Sequence, residues 1–349
     1  MTALTPFSTD AAAPLPARWR GGDTPFVSVV LPVFNELAAL PFLVEELDDV
    51  FRRIGHDYEL IFADDGSTDG STVWLQQAAR ERDNLTVVVL TRNFGQQAAL
   101  QAALEEARGD VVIVMDSDRQ DDPNAIPRFL EAWHAGHEVV YAVRTQRLEN
   151  WLKRGLFFAF YRLLRLLAEV PMPYDAGNFG LLDRRVVNHL LAMPERTRFF
   201  PGLRSWVGFR QIGVPVARLS RHDAVPRVSF WQLVRLAKTA IFSFSNAPIT
   251  AFWVIAALSG SVFAVAGSWT GMQWAFGDGV PSIITTLLVA SFFAALNSLG
   301  IAVLGEYLVR VVDQVQGRPA YLVDQVVRGE ARGICPRDRR SHSVWRANS

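Results

Sequence analysis

The chain has 349 residues, half of them hydrophobic, and its 35 basic and 35 acidic side chains leave no formal net charge at pH 7. No global charge draws it to nucleic acid, and a single cysteine, Cys335, excludes an internal disulfide and a cysteine-based zinc site. A mean hydropathy of +0.14 is high for a protein held wholly in water, and the length allows one large domain with further elements.

Residues 1–24, rich in Ala, Pro and Thr without a continuous apolar core, read as a disordered lead-in, neither a secretory signal nor a span. FVSVVLPVFNE (Phe26–Glu36) reads as a buried strand ending at Pro32, and the helical periodicity that follows stops at Gly55. YELIFADDGSTDGS is a second strand closing on Asp64, Asp65 and Gly66. Ser67, Thr68 and Asp69 then open a helix that runs to about Asp83. LTVVVLTRN is a third strand, GQQAALQAALEEARG a helix closed by Gly109, and Val111–Met115 a fourth strand. Alternating β and α segments with continuously apolar strands predict an α/β domain whose mainly parallel sheet is covered on both faces. Ligands of such sheets bind beyond the carboxyl ends of the strands. Those ends carry Pro32–Glu36, Asp64–Asp65, Arg92–Asn93 and Asp116–Asp118, so polar groups converge on one edge.

VVIVMDSDRQDDP runs from a buried strand into four carboxylates within seven residues, which calls for a positive group among them. If Asp116–Asp118 stays extended, its two carboxylates point the same way. Beside the Gln120 carboxamide they make a hard-oxygen site suited to Mg²⁺ or Mn²⁺. The competing reading is a helix cap or a solvated acidic loop. The sequence contains no G-x-G-x-x-G, no G-x-x-x-x-G-K-[ST] and no G-x-S-x-G, which argues against dinucleotide enzymes, P-loop NTPases and α/β-hydrolases.

Thr239 to Val309 holds no Lys or Arg, and within it Ile249–Gly267 and Pro281–Leu304 are almost wholly apolar. A span needs roughly 20 apolar residues, so the pair reads as a transmembrane hairpin over 247–305; the alternative is two helices buried in a soluble core. Basic residues resume at Arg310, and the positive-inside rule then puts a 306–349 tail and the 25–228 domain in the cytoplasm. Trp151–Val170 and the 229–246 segment combine cationic stripes with Leu-rich and aromatic faces, as helices lying on a membrane surface do.

LPVFNE, DDGSTDGS, RNFGQQAAL, GDVVIVMDSDRQDDP and ERTRFFPGLRSWVGF together resemble family 2 glycosyltransferases with a GT-A fold. More narrowly they resemble the polyprenyl-phosphate glycosyltransferases, the bactoprenol-phosphate glucosyltransferases and dolichyl-phosphate mannose synthases. The resemblance runs from about Phe26 to Val327. It implies inverting, metal-dependent transfer of a sugar from a nucleotide diphosphate sugar (a UDP-sugar or GDP-mannose) to a polyprenyl phosphate such as undecaprenyl phosphate. The setting implied is the inner membrane, with both termini cytoplasmic, and a homo-oligomer is compatible with the pattern. The resemblance further implies that Pro32 and Glu36 line the nucleotide pocket and that Asp65 bonds the base. Asp116, Asp118 and Gln120 match the metal pattern at the donor diphosphate, and Arg144 matches an arginine near both phosphates. Lys153 and Arg154 match a basic pair for the lipid phosphate, and Arg221 and Arg227 a pair that closes over the phosphates. Asp175 and Asn178 are candidates for orienting acceptor or metal, although the family's G-D-F-R-L segment is GNFGLLDRR here. The alternatives are a polysaccharide-forming synthase of the same family, whose Q-x-x-R-W has only GLRSW as its nearest counterpart, and a non-catalytic membrane protein that binds nucleotide sugar.

Overall fold

A computed structural model of the chain describes residues 24–144, 176–195, 198–216, 247–276 and 283–329. The expected order appears as β1 (Val27–Val33), α1 (Leu40–Ile54), β2 (Tyr58–Asp64), α2 (Ser71–Glu81), β3 (Leu85–Leu90), α3 (Gln96–Glu106) and β4 (Val111–Val114). It continues with α4 (Ile126–His134), β5 (Val139–Arg144), β6 (Ala176–Asp183), α5 (Arg184–Ala192), α6 (Phe200–Trp206) and β7 (Gln211–Val216). Two long helices, α7 (Ala247–Phe276) and α8 (Ile283–Val315), precede a last strand, β8 (Val323–Arg328).

The eight strands form one sheet in the order β7-β5-β6-β4-β1-β2-β3-β8. Neighbours among β4, β1, β2 and β3 are parallel, whereas β6 runs antiparallel to β4 and β5, and β8 antiparallel to β3. Strand alternation splits the core in two. Val29, Leu31, Leu60, Phe62, Val111 and Ile113 pack on one face against α1 and α4. Val30, Ile61, Ala63, Val112 and Val114 pack on the other against α3, α5 and α6. Helix α1 shows why it forms: Leu40, Leu43, Val44, Leu47, Val50 and Phe51 lie on one buried stripe, each contributing about 1.5–3 kcal/mol of burial. Gly55, at φ 67°, ends that helix in the left-handed conformation, as the sequence predicts.

Three boundaries differ from expectation. Helix α3 stops at Glu106, and Gly109 serves close packing instead of a cap, since a Cβ there would sit 2.5 Å from the Ser28 backbone nitrogen. Helix α8 runs ten residues past the expected hairpin end at 305, to Val315, with Glu306 and Arg310 paired at 3.6 Å in its later turns. The expected tail also supplies β8, which extends the sheet at the β3 edge and carries the Arg328–Glu106 ion pair.

Helix α7, and α8 as far as Gly305, carry no charged side chain and are predominantly apolar on all sides. Their most apolar windows, Phe252–Trp269 and Phe292–Val315, each have hydropathy 1.6, and 0% and 6% of those windows are buried. Trp253 is 74% exposed and Leu304 66%. This exposure argues against the soluble-core alternative. The hydroxyls of Ser261, Ser268 and Ser298 donate to carbonyls four residues back at 2.8–2.9 Å, so they need no water. The helices meet where Gly300 admits the Phe252 ring; a Cβ there would lie 2.4 Å from it.

Candidate active site

At the carboxyl ends of the parallel strands lies an open cavity of about 280 Å³. Its walls include Pro32 at the end of β1 and Phe34 and Glu36 after it, Asp65 after β2, Asn93, Gly95 and Gln96 at the start of α3, and Asp116, Ser117 and Asp118 after β4. Strand register makes it: β1 and β2 end together at Val33 and Asp64, while β4 ends at Val114 beside Val30, so its following residues Asp116–Asp118 run on next to the last residues of β1.

The DDGSTDGS loop is a lock between two walls. Asp64 is fully buried, and its carboxylate accepts from the Ser67 hydroxyl at 2.5 Å and the Thr72 hydroxyl at 2.6 Å. The backbone N–H groups of Asn35 and Glu36 donate to the Ser67 and Ser71 hydroxyls at 2.9 and 3.1 Å. Asp69 accepts from the N–H of Leu37 at 3.0 Å and from the Ser71 hydroxyl at 2.6 Å. Partial burial would raise the Asp69 carboxyl, but the Ser71 and Leu37 bonds outweigh it and hold the group below the usual carboxylate range. Asn35 closes this lock at φ 56°, with its side-chain oxygen accepting from the Thr68 N–H at 2.8 Å.

Asp65 holds the opposite wall. Its two carboxylate oxygens accept from the N–H groups of Phe94 and Gly95 at 2.7 and 2.9 Å, which fixes the turn into α3. Burial pushes this carboxyl up and the neighbouring Asp64 adds to that, against the two N–H groups that favour the ionised form. From that turn the Gln96 amide reaches Asp116 Oδ1 at 2.8 Å.

The four carboxylates after β4 divide their work. Asp121 accepts from the Asp116 N–H at 3.1 Å, and Asp122 caps the turn Pro123–Ala125. Asp116 and Asp118 line the cavity, and the Ser117 hydroxyl between them donates to the Pro32 carbonyl at 2.8 Å. Arg119, at φ 59°, turns to α1, where it pairs with Glu46 and stacks over Phe42, so it is not the cation expected among the aspartates. Gln120 is outside the cavity lining; its backbone N–H donates to the Asp118 carboxylate at 3.1 Å. Among the described residues no cluster of three or more His, Cys, Asp or Glu converges. The described residues therefore offer no all-protein metal cage. Two carboxylates on an open wall do fit a hard divalent ion that keeps water and phosphate oxygens as its remaining ligands.

Of the other candidates, Pro32, Glu36 and Asp65 share this cavity. Asn178 is half-buried near the start of β6, which runs past the end of β4 toward the aspartate turn. Arg144 ends β5, paired through its backbone with Val216, and its side chain lies outside the described residues. Lys153, Arg154, Asp175, Arg221 and Arg227 also lie outside them. Sequence reasoning put Asn93 and Ser117 on this edge without giving them a role, and missed Gln96 as a wall residue; its one signal was its place within RNFGQQAAL.

The family described as Glycosyl transferase family 2 matches residues 28–191. An uncharacterized glycosyltransferase of Synechocystis sp. is 33% identical over 302 residues, covering 86% of this chain and 95% of that protein. The SfII prophage-derived bactoprenol glucosyl transferase of Shigella flexneri is 33% identical over 308 residues, covering 87% and 99%. An undecaprenyl-phosphate 4-deoxy-4-formamido-L-arabinose transferase of Aeromonas hydrophila is 32% identical over 318 residues, covering 88% and 95%.

Proposed function

The chain belongs to glycosyl transferase family 2, with a GT-A-like α/β fold, and from that premise we propose that it transfers a sugar from a nucleotide diphosphate sugar to a polyprenyl phosphate. The acceptor chain proposed is undecaprenyl, and the reaction site is the cytoplasmic face of a membrane. The observation that carries this reading is an acidic strand-end cavity in the same chain as two long, exposed apolar helices. Similarity to the bactoprenol and undecaprenyl-phosphate transferases extends over nearly their whole lengths, which supports the acceptor class.

The chemistry asks little of a general base. The acceptor oxygen belongs to a phosphate monoester whose second pKa is about 6, so it is already largely anionic at neutral pH. It attacks the anomeric carbon from the face opposite the diphosphate. A carbon–oxygen bond forms, the bond to the diphosphate breaks, and the configuration inverts. The difficulty is to hold two anions together and to stabilise the leaving diphosphate. Mg²⁺ or Mn²⁺ held by Asp116 and Asp118 would supply Lewis-acid neutralisation of that diphosphate. The chain's own residues do the rest. Pro32, Glu36 and Asp65 shape the nucleotide end of the cavity, and the Asp64 and Asp69 locks keep that wall from shifting. Gln96 orients the Asp116 carboxylate. We assign Arg144, Arg221 and Arg227 to the phosphates, Lys153 and Arg154 to the lipid phosphate, and Asp175 and Asn178 to orienting the acceptor. The 151–170 and 229–246 segments, proposed to lie on the membrane surface, would hold the acceptor phosphate at the depth of the cavity, which supplies proximity. A 25–228 catalytic domain extended by β8, with both termini cytoplasmic, completes the proposal.

The test is release of nucleoside diphosphate by the purified full chain. Release should rise when undecaprenyl phosphate is added and not when undecaprenol is added. Release indifferent to both lipids would overturn the acceptor assignment.

A further inference from the structure

Arg204 has no place in the function just proposed, yet it is among the largest fully buried side chains, 1% exposed in α6. Its Nη1 donates to the Gly177 carbonyl at 2.9 Å, and its guanidinium carbon lies 5.1 Å from the centre of the Tyr141 ring. Its Nε and Nη2 are buried with no hydrogen-bond partner, and among the described residues no carboxylate pairs with it. Burial alone pulls its pKa down to about 10, with only Tyr141 working the other way. Buried charges in folded proteins are ordinarily paired, because an isolated one costs several kcal/mol. Among the described residues this water-excluded cation has no counter-ion, so the site they form is incomplete.

Its position indicates what completes it. Gly177 is the second residue of β6, and that strand pairs Gly180 with Val114, so its start lies beyond the end of β4, toward the Asp116–Asp118 turn. Arg204 is not in the wall of the cavity that holds Asp65 and Asp116; it stands on the β5–β6 side. Two anions meet in the proposed reaction, and the cavity wall accounts for the donor.

We propose that Arg204 receives the phosphate monoester of the acceptor: the Gly177 carbonyl and the Tyr141 ring hold the guanidinium in place, and Nε and Nη2 are its uncommitted donors. The inference rests on the polyprenyl-phosphate reading. A fixed guanidinium there offsets repulsion between acceptor phosphate and donor diphosphate without reorganising during the reaction.

The test compares wild type, Arg204→Met and Arg204→Lys as full chains in detergent. Thermal midpoints are read alone and with undecaprenyl phosphate, undecaprenol, inorganic phosphate or UDP. Without ligand, Arg204→Met should melt with or above the wild type, because an apolar chain replacing an unpaired buried ion is neutral or stabilising. It should bind undecaprenyl phosphate about 10- to 100-fold more weakly, as loss of charge-assisted bonds predicts, and UDP unchanged. Arg204→Lys should recover part of the lipid affinity. The increment should need both phosphate and chain, so undecaprenol and inorganic phosphate should each give less than the joined molecule. A markedly lower midpoint for Arg204→Met, with its undecaprenyl phosphate affinity intact, would mean that the chain itself supplies the counter-ion, and would overturn the proposal. Weaker UDP binding instead would move Arg204 to the donor side and overturn it as well. A wild type indifferent to undecaprenyl phosphate would sink the acceptor reading itself, and this inference with it.

Discussion

Replacing Asp65 by Asn keeps the shape of the side chain and removes its second acceptor oxygen. In the native cavity both carboxylate oxygens are in use, at 2.7 Å to the Phe94 N–H and 2.9 Å to the Gly95 N–H, at a residue that is 2% exposed. Asn can satisfy one of these donors; its NH₂ faces the other. One charge-assisted bond is lost and one backbone N–H is left unpaired, together about 2–4 kcal/mol. Relief of the buried charge offsets part of that, leaving a net loss of about 1–3 kcal/mol. At about 2–4 °C per kcal/mol, the apparent melting midpoint should fall by roughly 2–12 °C. The functional cost follows from what the turn carries. Gly95 starts α3, and Gln96 reaches Asp116 from it, so donor affinity by calorimetry should fall roughly tenfold, on the order of 1.4 kcal/mol. The pH dependence has a definite sign. Because the folded pKa is raised, Asp65 favours the folded state most below its unfolded pKa, and that contribution is lost as pH rises through the folded value. Asp65→Asn removes this slope. An Asn variant that melts with the wild type and binds donor equally would refute the argument.

Asp118→Ala should abolish transfer with little change in melting, because it removes a cavity carboxylate and no core; activity should vanish in EDTA and return with Mg²⁺ or Mn²⁺, and full activity in EDTA would contradict the metal assignment. Asp69 is held below the usual carboxylate range, so its stabilisation is present above the unfolded pKa and is lost as pH falls through the folded one; Asp69→Asn should flatten the acid limb of melting midpoint against pH, and an unchanged limb would count against the lock. In a Cys335→Ser background, Asp278→Cys should be labelled by an impermeant thiol reagent from outside whole cells, since no Lys or Arg lies between Lys238 and Arg310; labelling only after permeabilisation would contradict the hairpin topology.

The first half of the fold was legible because burial writes itself into composition. Val27–Val33 and Val111–Val114 are continuous apolar runs, since both faces of those strands are covered. Strand β8 sends no such signal. VDQVVR is mostly exposed and becomes a strand because the open β3 edge supplies backbone partners, which only the folded sheet reveals. Asp116 and Asp118 were readable from their place after a buried strand. Asp64 and Asp69 were not separable from them, because a carboxylate that ties a loop and one that faces a ligand look alike until their donors are located. Arg204 was invisible for the opposite reason. An arginine in a short helix reads as surface, and only the packing of α6 against β6 puts it inside.

Mass spectrometry of the lipid extract reads out transfer to the lipid phosphate itself. The purified full chain would be incubated with Mg²⁺, undecaprenyl phosphate and a panel of nucleotide sugars. For one donor a new lipid should appear, heavier than undecaprenyl phosphate by one glycosyl residue and linked through the phosphate oxygen with inverted anomeric configuration. It should be absent with Asp118→Ala. Sugar recovered only as free sugar or polymer, with undecaprenyl phosphate unchanged across the whole panel, would contradict the account.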